Sequence, residues 1–334
     1  MATRVAVDAM GGDDAPGVVV EGAIRAAREA PGRMHLLFFG PEDVVRAEVG
    51  SHDVAGLGFD IVDAPDVIGM GESPTTALKT KTNSSIHRGL AAVKQGHADA
   101  FVSAGNTGAV MAGALFICGR LPGVHRPSIP GYFPTPTGTS LVVDVGANVD
   151  VKPENLVQFA WMGRIFAERV FGVDDPTVAL LNVGEEPGKG TEVVKEAYGL
   201  LEAEDGLNFI GNVEGRDLFN HKADVAVCDG FVGNALLKLG ESFATVLPKL
   251  IHNEIGKQGL SNGEAEIVGR VLKGALAPFN YENFGAVPLL GVDGNVLVGH
   301  GGSTARAVEQ MIYRACEVVE QNLAGSIAEA LGGC

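Results

Sequence analysis

The chain has 334 residues, of which 46% are hydrophobic and 20% are charged, a composition that supports a large folded core and excludes global disorder. Its 41 acidic residues outnumber its 25 basic residues and give a net charge of −16. This charge argues against a nucleic-acid-binding protein and requires that any site for an anion be built from local donors. Because no apolar stretch reaches the length of a membrane span and no signal peptide is visible, we expect a soluble cytoplasmic protein.

Short apolar runs alternate along the chain with longer amphipathic segments. Several of the runs are continuously apolar, which is typical of strands buried on both faces. Strands are predicted at residues 4–8, 35–40, 59–63, 98–103, 140–145, 177–183, 208–211, 224–229 and 295–298. Helices are predicted at residues 16–29, at 83–95 and, as one long helix, from Val308 to Ile327. The alternation predicts an α/β fold with a doubly wound, mainly parallel sheet and helices on both faces.

The chain shows no low-complexity linker and no internal repeat. We therefore expect one domain over residues 1–334, with a helical region that protrudes at about residues 245–280. The stretch at residues 121–139 is the densest in proline and glycine, which predicts a loop or crossing segment rather than a helix.

Five predicted strands run into polar or glycine-rich turns that precede a helix. Since the carboxyl ends of parallel strands lie on one edge of a sheet, where ligands bind, we expect these turns to form one site. Glycine lets backbone N–H groups approach an anion, and the following helix N-terminus adds partial positive charge. The alternative is that α/β proteins use Gly and Asn in such turns for backbone conformation alone; the recurrence of the pattern favours a site.

The candidate ligand-binding residues of these turns are Asp8, Gly11, Gly12, Asp13, Asn106, Thr107, Gly108, Asp144, Asn148, Gly184, Asp229 and Gly233. The four aspartates are expected to hold the loops in place rather than to donate protons.

Sequence motifs of the common cofactor and metal sites are missing. There is no GxGxxG, which weakens a dinucleotide site, and there is no HExxH or GxSxG. The segment GEEPGKGT at residues 184–191 lacks one spacer residue of the Walker A motif, so we reject that motif. The eight histidines are dispersed, which argues against a zinc site. We therefore expect neither a cofactor nor a bound metal.

Lys189 and Asn234 follow two of the predicted strands. Lys189 lies in a glycine-flanked loop, where a lysine can place a point charge on a phosphate at the sheet edge. From spacing alone, a solvated loop lysine is an equally good interpretation. Asn234 can offer its amide to an anion or a carbonyl oxygen, or it can serve as the N-cap of the next helix.

Cys228 and His300 also lie at strand ends. Cys228 could carry an acyl group as a nucleophile. No histidine lies near it in sequence, and the interpretation as a small buried core thiol is favoured. His300 is a further candidate ligand-binding residue that would bind phosphate or orient a substrate, and a turn histidine with satisfied hydrogen bonds is the alternative.

Taken together, these turns resemble those of the PlsX family of bacterial phosphate acyltransferases (acyl-acyl-carrier-protein:phosphate acyltransferases). The resemblance covers nearly the whole chain, in order, and its most specific motifs are VDAMGGD, SAGNTGA and CDGFVGN. The longer matching segments are VAVDAMGGDDAP, VSAGNTGAVMAGA, LVVDVGANVD, ALLNVGEEPGKGTE, NFIGNVEGRDLF, VAVCDGFVGNALLK and PLLGVDGNVLVGHGGST.

The resemblance implies a fold like that of isocitrate dehydrogenases and phosphotransacetylases, and a homodimer. It implies that acyl-acyl-carrier-protein and inorganic phosphate are converted to acyl phosphate and free carrier protein, an early step of bacterial phospholipid synthesis. The catalytic lysine and asparagine proposed for the family fall on Lys189 and Asn234.

The implied reaction needs no protein nucleophile, because a phosphate oxygen can attack the thioester carbonyl directly. Lys189 and backbone N–H groups near Gly11, Gly12 and residues 105–108 are expected to contact phosphate. Asn234 is expected to position the carbonyl or the phosphate. Two rival functions stay open: a catalytically silent scaffold that binds acyl carrier protein or acyl lipid, and a nicotinamide-dependent hydroxyacid dehydrogenase on the same fold.

The region from Lys249 to Phe279 departs from the family pattern, because three glutamates offset most of its basic residues. Within it lies the segment from Ile267 to Phe279. It is amphipathic, and two interpretations are open: peripheral contact with the inner face of the membrane, and packing as a helix in a dimer.

Docking of an acidic carrier protein on a chain of net charge −16 requires a local basic patch. The candidate residues for that patch are Arg120, His125, Arg126, Arg216, Lys249 and Lys257.

Overall fold

The chain folds around two β-sheets rather than one. The computed structural model describes residues 2–279 and 281–332. In spatial order, the first sheet contains β10 (Ala286–Pro288), β11 (Asn295–Gly299), β4 (Ala100–Ser103), β1 (Thr3–Asp8), β2 (Met34–Gly40) and β3 (Phe59–Asp63). The second sheet contains β5 (Pro130–Thr135), β6 (Gly138–Val143), β9 (Val225–Val227), β7 (Val178–Leu181) and β8 (Phe209–Val213).

The strands are mainly parallel, and the helices lie between them in sequence. Only β10 with β11 and β5 with β6 pair antiparallel among the described strands. The helices are α1 (Gly17–Glu29), α2 (Glu42–Gly50), α3 (Pro74–Thr80), α4 (Ser85–Lys94), α5 (Thr107–Gly113), α6 (Pro153–Phe171), α7 (Glu192–Glu202), α8 (Gly230–Gln258), α9 (Asn262–Leu276), α10 (Ala305–Glu320) and α11 (Leu323–Leu331).

Alternate residues of a strand point into two different cores. Val5 and Val7 of β1 pack in one apolar cluster with side chains of α1 and α10, whereas Ala6 packs in another with side chains of α4 and α5. Both clusters also contain residues of the second sheet, so the two sheets share their apolar packing. The predicted α/β class, mainly parallel and with helices on both faces, is confirmed.

Two local expectations are wrong, and one strand was missed. Residues 121–139 contain the edge strand β5, whose prolines resemble a loop signal but are tolerated because an edge strand need not donate every N–H. The short strand β10 was not expected either. The single C-terminal helix is in fact α10 and α11, separated at Asn322, which adopts a left-handed backbone conformation with φ of 51°.

The second half of α8 and the whole of α9 correspond to the helical region expected at about residues 245–280. Beyond Gly233, no residue of α8 is buried, and none of α9 is buried. Asn280 lies outside the described residues. Among those that are described, no helix is both long and apolar enough to cross a membrane.

Candidate active site

Three turns of the first sheet contact one another at the carboxyl ends of neighbouring strands β11, β4 and β1. The N–H of Asp13, after β1, donates to the carbonyl oxygen of Gly301, after β11, at 2.9 Å. A side-chain carbon on Gly11 would lie 2.8 Å from the backbone nitrogen of Gly105, after β4. Gly11 is therefore required where the β1 and β4 turns meet. Gly12, with φ of 120°, adjoins the same Gly301 carbonyl.

Asp8 is buried at the centre of these turns. Its carboxylate accepts a hydrogen bond from the Ser103 hydroxyl at 2.6 Å and one from the Met10 N–H at 3.2 Å. Burial raises the pKa of Asp8 above its ordinary value. The Gly11 N–H donates to the Asp8 carbonyl, and the Gly105 N–H donates to the Ser103 hydroxyl. Both N–H groups thus donate within the protein, and their predicted contact with phosphate stays a prediction.

Asn106 caps helix α5 and holds a neighbouring segment against it. Its side-chain oxygen accepts the Ala109 N–H at 3.0 Å. Its amide nitrogen lies 3.1 Å from each of three backbone carbonyl oxygens, those of Gly69, Met70 and Glu72, to which it donates. The Asn106 side chain therefore has a structural role here. Thr107, the first residue of α5, is exposed, and Gly108 adjoins Pro74.

Asp144 organises the turn after β6 in the second sheet. The carboxylate is fully buried and accepts the N–H groups of Ile129 at 2.9 Å and Asn148 at 2.6 Å. The Asn148 amide donates to the Pro127 carbonyl at 2.7 Å and to Asp144 at 3.1 Å. Burial raises the pKa of Asp144. Both side chains therefore hold the loop, as expected for the aspartate.

Helix α8 starts directly against this loop. Asp229 is its N-cap and accepts the Val232 N–H at 2.9 Å. A side-chain carbon on Gly233 would overlap the carbonyl oxygen of Asp144, so the helix approaches as closely as glycine allows. Asn234 follows as an exposed residue within the helix, and the alternative of Asn234 as the N-cap is wrong because Asp229 has that role.

Cys228 is buried beside the same loop. Its sulfur lies 3.6 Å from the Asp144 carbonyl oxygen, and burial raises the pKa of the thiol well above its ordinary value. A thiol held in its protonated form is a poor nucleophile. The structure supports the core interpretation of Cys228.

Lys189 lies in the loop between β7 and α7. The Asn182 amide donates to the Lys189 carbonyl at 3.1 Å and fixes the loop, and the buried Gly184 packs beside the Lys189 side chain. The Lys189 side chain is exposed and forms no ion pair with any residue that the structure describes. Asn182 and Asp229 both line a cavity of about 550 Å³, which places this loop next to the start of α8.

A second cavity connects the turns of the two sheets. It has a volume of about 280 Å³, and its polar lining includes Thr107 from the β4 turn, Asn234 from α8 and His300 from the β11 turn. The expected single sheet edge is therefore wrong: two edges are involved, and three of the predicted residues meet in the cavity between them. Lys189 lines neither of the two cavities.

His300 has the hydrogen bonds of a structured turn and also lines this cavity, while its contact with phosphate or substrate stays a prediction. Its Nδ1 atom accepts the Gly302 N–H at 3.2 Å, and its carbonyl accepts the Ser303 hydroxyl at 2.6 Å, as in a structured turn. Its side chain also belongs to the lining of the cavity of 280 Å³.

Most of the cavity wall was missed by sequence reasoning. It consists of apolar residues from β5, α8, β10 and the 3-10 helix Ala277–Phe279, which carry no motif. The apolar residues of α8 next to Asn234 were the one signal in the sequence for this wall. They do not indicate which other segments of the chain face α8. We name this site the acyl cavity after its mostly apolar wall, whose residues include Tyr132, Phe133, Phe219, Leu237, Gly240, Phe279, Phe284 and Val298.

Solved structures with a similar fold include phosphotransacetylases and a protein classed as a 4-hydroxythreonine-4-phosphate dehydrogenase. A phosphotransacetylase from Streptococcus pyogenes is 18% identical, with a TM-score of 0.62 over 96% of this chain and 94% of that chain. The EutD phosphotransacetylase from Staphylococcus aureus is 16% identical, with a TM-score of 0.59 over 95% and 94% of the two chains. At these identities the likeness shows the fold alone.

Closer relatives are known from sequence. A phosphate acyltransferase from Salinibacter ruber is 54% identical over 330 residues, covering 98% of each chain. One from Chlorobaculum parvum is 48% identical over 335 residues, again covering 98% of each. A family model described as fatty acid synthesis protein matches residues 3–325. The chain therefore belongs to the phosphate acyltransferase family of fatty acid synthesis proteins, which is a family of enzymes.

Proposed function

We propose that the protein transfers an acyl group from the thioester of an acyl carrier protein to inorganic phosphate. The products are acyl phosphate and free carrier protein, and the acyl phosphate is consumed in phospholipid synthesis. The observation that carries the proposal is the acyl cavity, in which Asn234, Thr107 and His300 adjoin a wall made mostly of apolar side chains. Such a cavity suits a substrate with a polar reacting group and a hydrocarbon chain.

The proposed chemistry is a direct displacement. A phosphate oxygen attacks the thioester carbonyl and forms a C–O bond, the C–S bond breaks, and the thiolate of the carrier leaves and takes up a proton. The Asn234 amide donates to the carbonyl oxygen as negative charge develops there. The Lys189 ammonium, which has no other ion partner among the described residues, neutralises the incoming phosphate. Binding holds the two reactants in line.

Release of free thiol from an acylated carrier protein, with and without phosphate, tests this function. We expect thiol release that depends on both phosphate and enzyme, together with acyl phosphate trapped by hydroxylamine. Binding of the acylated carrier without phosphate-dependent release would support the silent scaffold instead. A change in absorbance on mixing with NAD and candidate hydroxyacids would support the dehydrogenase.

For carrier docking, we propose the basic cleft between α8 and α9. The cleft has a volume of about 930 Å³ and is lined by Lys249, Lys273 and Arg306, with no carboxylate in the described lining. Phe279 lines both this cleft and the acyl cavity, so the two are neighbours. The whole protein has a net charge of −16, which repels an acidic partner. A positively charged cleft offers such a partner a local site for docking.

Three of the other candidates for the docking patch are already engaged, and the remaining two, His125 and Arg126, do not line the cleft. Arg216 pairs with Glu214 at 3.0 Å, and Lys257 pairs with Glu254 at 3.4 Å. Arg120 donates to the His125 carbonyl. Of the basic residues named from sequence, Lys249 is the one that we retain for docking.

Reversing two charges of the basic cleft, with Lys249→Glu and Lys273→Glu together, is expected to raise KM for the acylated carrier about tenfold, since exposed charge pairs contribute up to about 1 kcal/mol each. Steady-state kinetics at low and high salt checks this, and kcat should stay unchanged. Lys195→Glu on α7 is the control. An unchanged KM in the double variant, or an equal rise in KM for a thioester of pantetheine alone, contradicts the docking surface.

We further propose that the protein is a cytoplasmic homodimer. Val149, Val183 and Phe231 are exposed apolar residues in the three neighbouring turns of the second sheet, and they would suit contact with a second copy. Ile267 and Val271 of α9 are exposed as well. Both interpretations of the segment from Ile267 to Phe279, membrane contact and dimer packing, stay predictions.

A further inference from the structure

The wall of the acyl cavity is built for hydrocarbon. Phe219 contacts Phe133 and Phe279 with ring centroids 6.0 and 6.2 Å apart, which makes a continuous aromatic surface. The charged residues of the lining, Lys238 and Glu241, pair with each other at 2.9 Å. Their charges therefore compensate each other, and the rest of the described lining is apolar apart from Thr107, Asn234, His300 and the Tyr132 hydroxyl.

Gly240 is the one glycine of α8 that lines this cavity. A glycine in the middle of a helix makes the helix less stable than an alanine would, by about 1 kcal/mol. The presence of Gly240 therefore needs a reason. Packing does not supply one, because a side-chain carbon at Gly240 would have its nearest neighbour, Phe133 Cε1, at an ordinary distance of 3.6 Å. By contrast, a side-chain carbon at Gly230 or Gly233 would clash with backbone. A larger side chain at Gly240 would instead extend into the acyl cavity.

We propose that the acyl cavity binds the hydrocarbon chain of the substrate and that Gly240 determines how long a chain it accepts. This inference rests on the proposed function, because the thioester must reach Asn234 at the polar side of the same cavity. A linear chain is the occupant that matches an apolar wall continuous with a single polar region. Each methylene group of the substrate that is buried in the cavity should increase the binding affinity about fourfold.

The experiment compares wild type, Gly240→Ala and Gly240→Leu with butanoyl, octanoyl and hexadecanoyl thioesters of the carrier. In wild type, kcat/KM should rise with chain length until the cavity is filled. In Gly240→Leu, whose side chain has the volume of about four methylene groups, kcat/KM for hexadecanoyl should fall on the order of a hundredfold, while that for butanoyl stays within about twofold. Gly240→Ala should lie between them.

Gly256→Leu is the matched control. Gly256 lies in the same helix, and a side-chain carbon there would have no neighbour within 4 Å. Its chain-length profile should equal that of wild type. Melting temperatures of all variants show whether a loss of activity reflects unfolding.

Two outcomes overturn the inference. One is an equal loss of kcat/KM for butanoyl and hexadecanoyl in Gly240→Leu; the other is a wild-type profile that does not change with chain length. Displacement of a fluorescent long-chain fatty acid provides a readout that needs no turnover. If wild type binds this probe, Gly240→Leu does not, and no thioester reacts with phosphate, then the proposed function fails and the acyl cavity stands.

Discussion

Replacing Lys189 with Ala is expected to lower kcat for acyl phosphate formation about a hundredfold, as is typical for the loss of one contact to developing charge. The reason is that the phosphate would lose the cation of the β7 turn, and no other group of that turn can replace it: Glu185 and Glu186 have the wrong charge. Stability should not change, because the side chain is exposed and has no ion pair within the described residues. Initial rates at saturating phosphate and acylated carrier measure the effect.

Lys195→Ala serves as the control for Lys189→Ala. Lys195 is also an exposed lysine of this region, but it pairs with Glu192 at 2.9 Å on the surface of α7. Its replacement should leave kcat unchanged. If Lys189→Ala retains the wild-type rate, Lys189 has no part in the reaction, and the interpretation as a solvated loop lysine is correct.

Replacing Asp144 with Ala should have the largest effect on stability. The change leaves the buried N–H groups of Ile129 and Asn148 without an acceptor. Each such group costs about 1–3 kcal/mol, so the free energy of unfolding should fall by about 2–6 kcal/mol. Urea denaturation followed by circular dichroism measures this fall. Because the Asp144 loop contacts Gly233, the position of Asn234 should be disturbed as well.

Two further variants separate the hydrogen bonds of Asp144 from its charge. Asp144→Asn keeps one acceptor oxygen and should lose less stability than Asp144→Ala. Asp150→Ala removes an exposed carboxylate of the same loop and should change the free energy of unfolding by no more than about 0.5 kcal/mol. A similar small change in Asp144→Ala would show that the loop does not depend on the buried carboxylate.

The elements that the sequence predicts correctly are those whose signal is local. Strand β3 has the predicted bounds, and β1, β2 and β11 differ from them by one residue. In β1, β2 and β11 the apolar runs reflect burial inside the sheet, whereas β3 is an edge strand that its apolar residues still indicate although none of them is fully buried. The edge strands β5 and β10 carry no such signal. The prolines of β5 are tolerated at the edge of the sheet, but in the sequence they predict a loop and not a strand. The boundary between α10 and α11 cannot be seen in the sequence, because the helical spacing of apolar residues continues across Asn322.

The sequence by itself determined the α/β class, the family, and the turns that hold Lys189 and precede Asn234, because these depend on local residue patterns. Only the tertiary structure decided that the turns belong to two sheets and that Thr107, Asn234 and His300 share one cavity. It also assigned Asn106, Asp144 and Asn148 to holding loops, since their hydrogen-bond partners are distant in sequence. The acyl cavity has no motif, because its wall combines apolar side chains from separate segments that become neighbours only when the two sheets pack together.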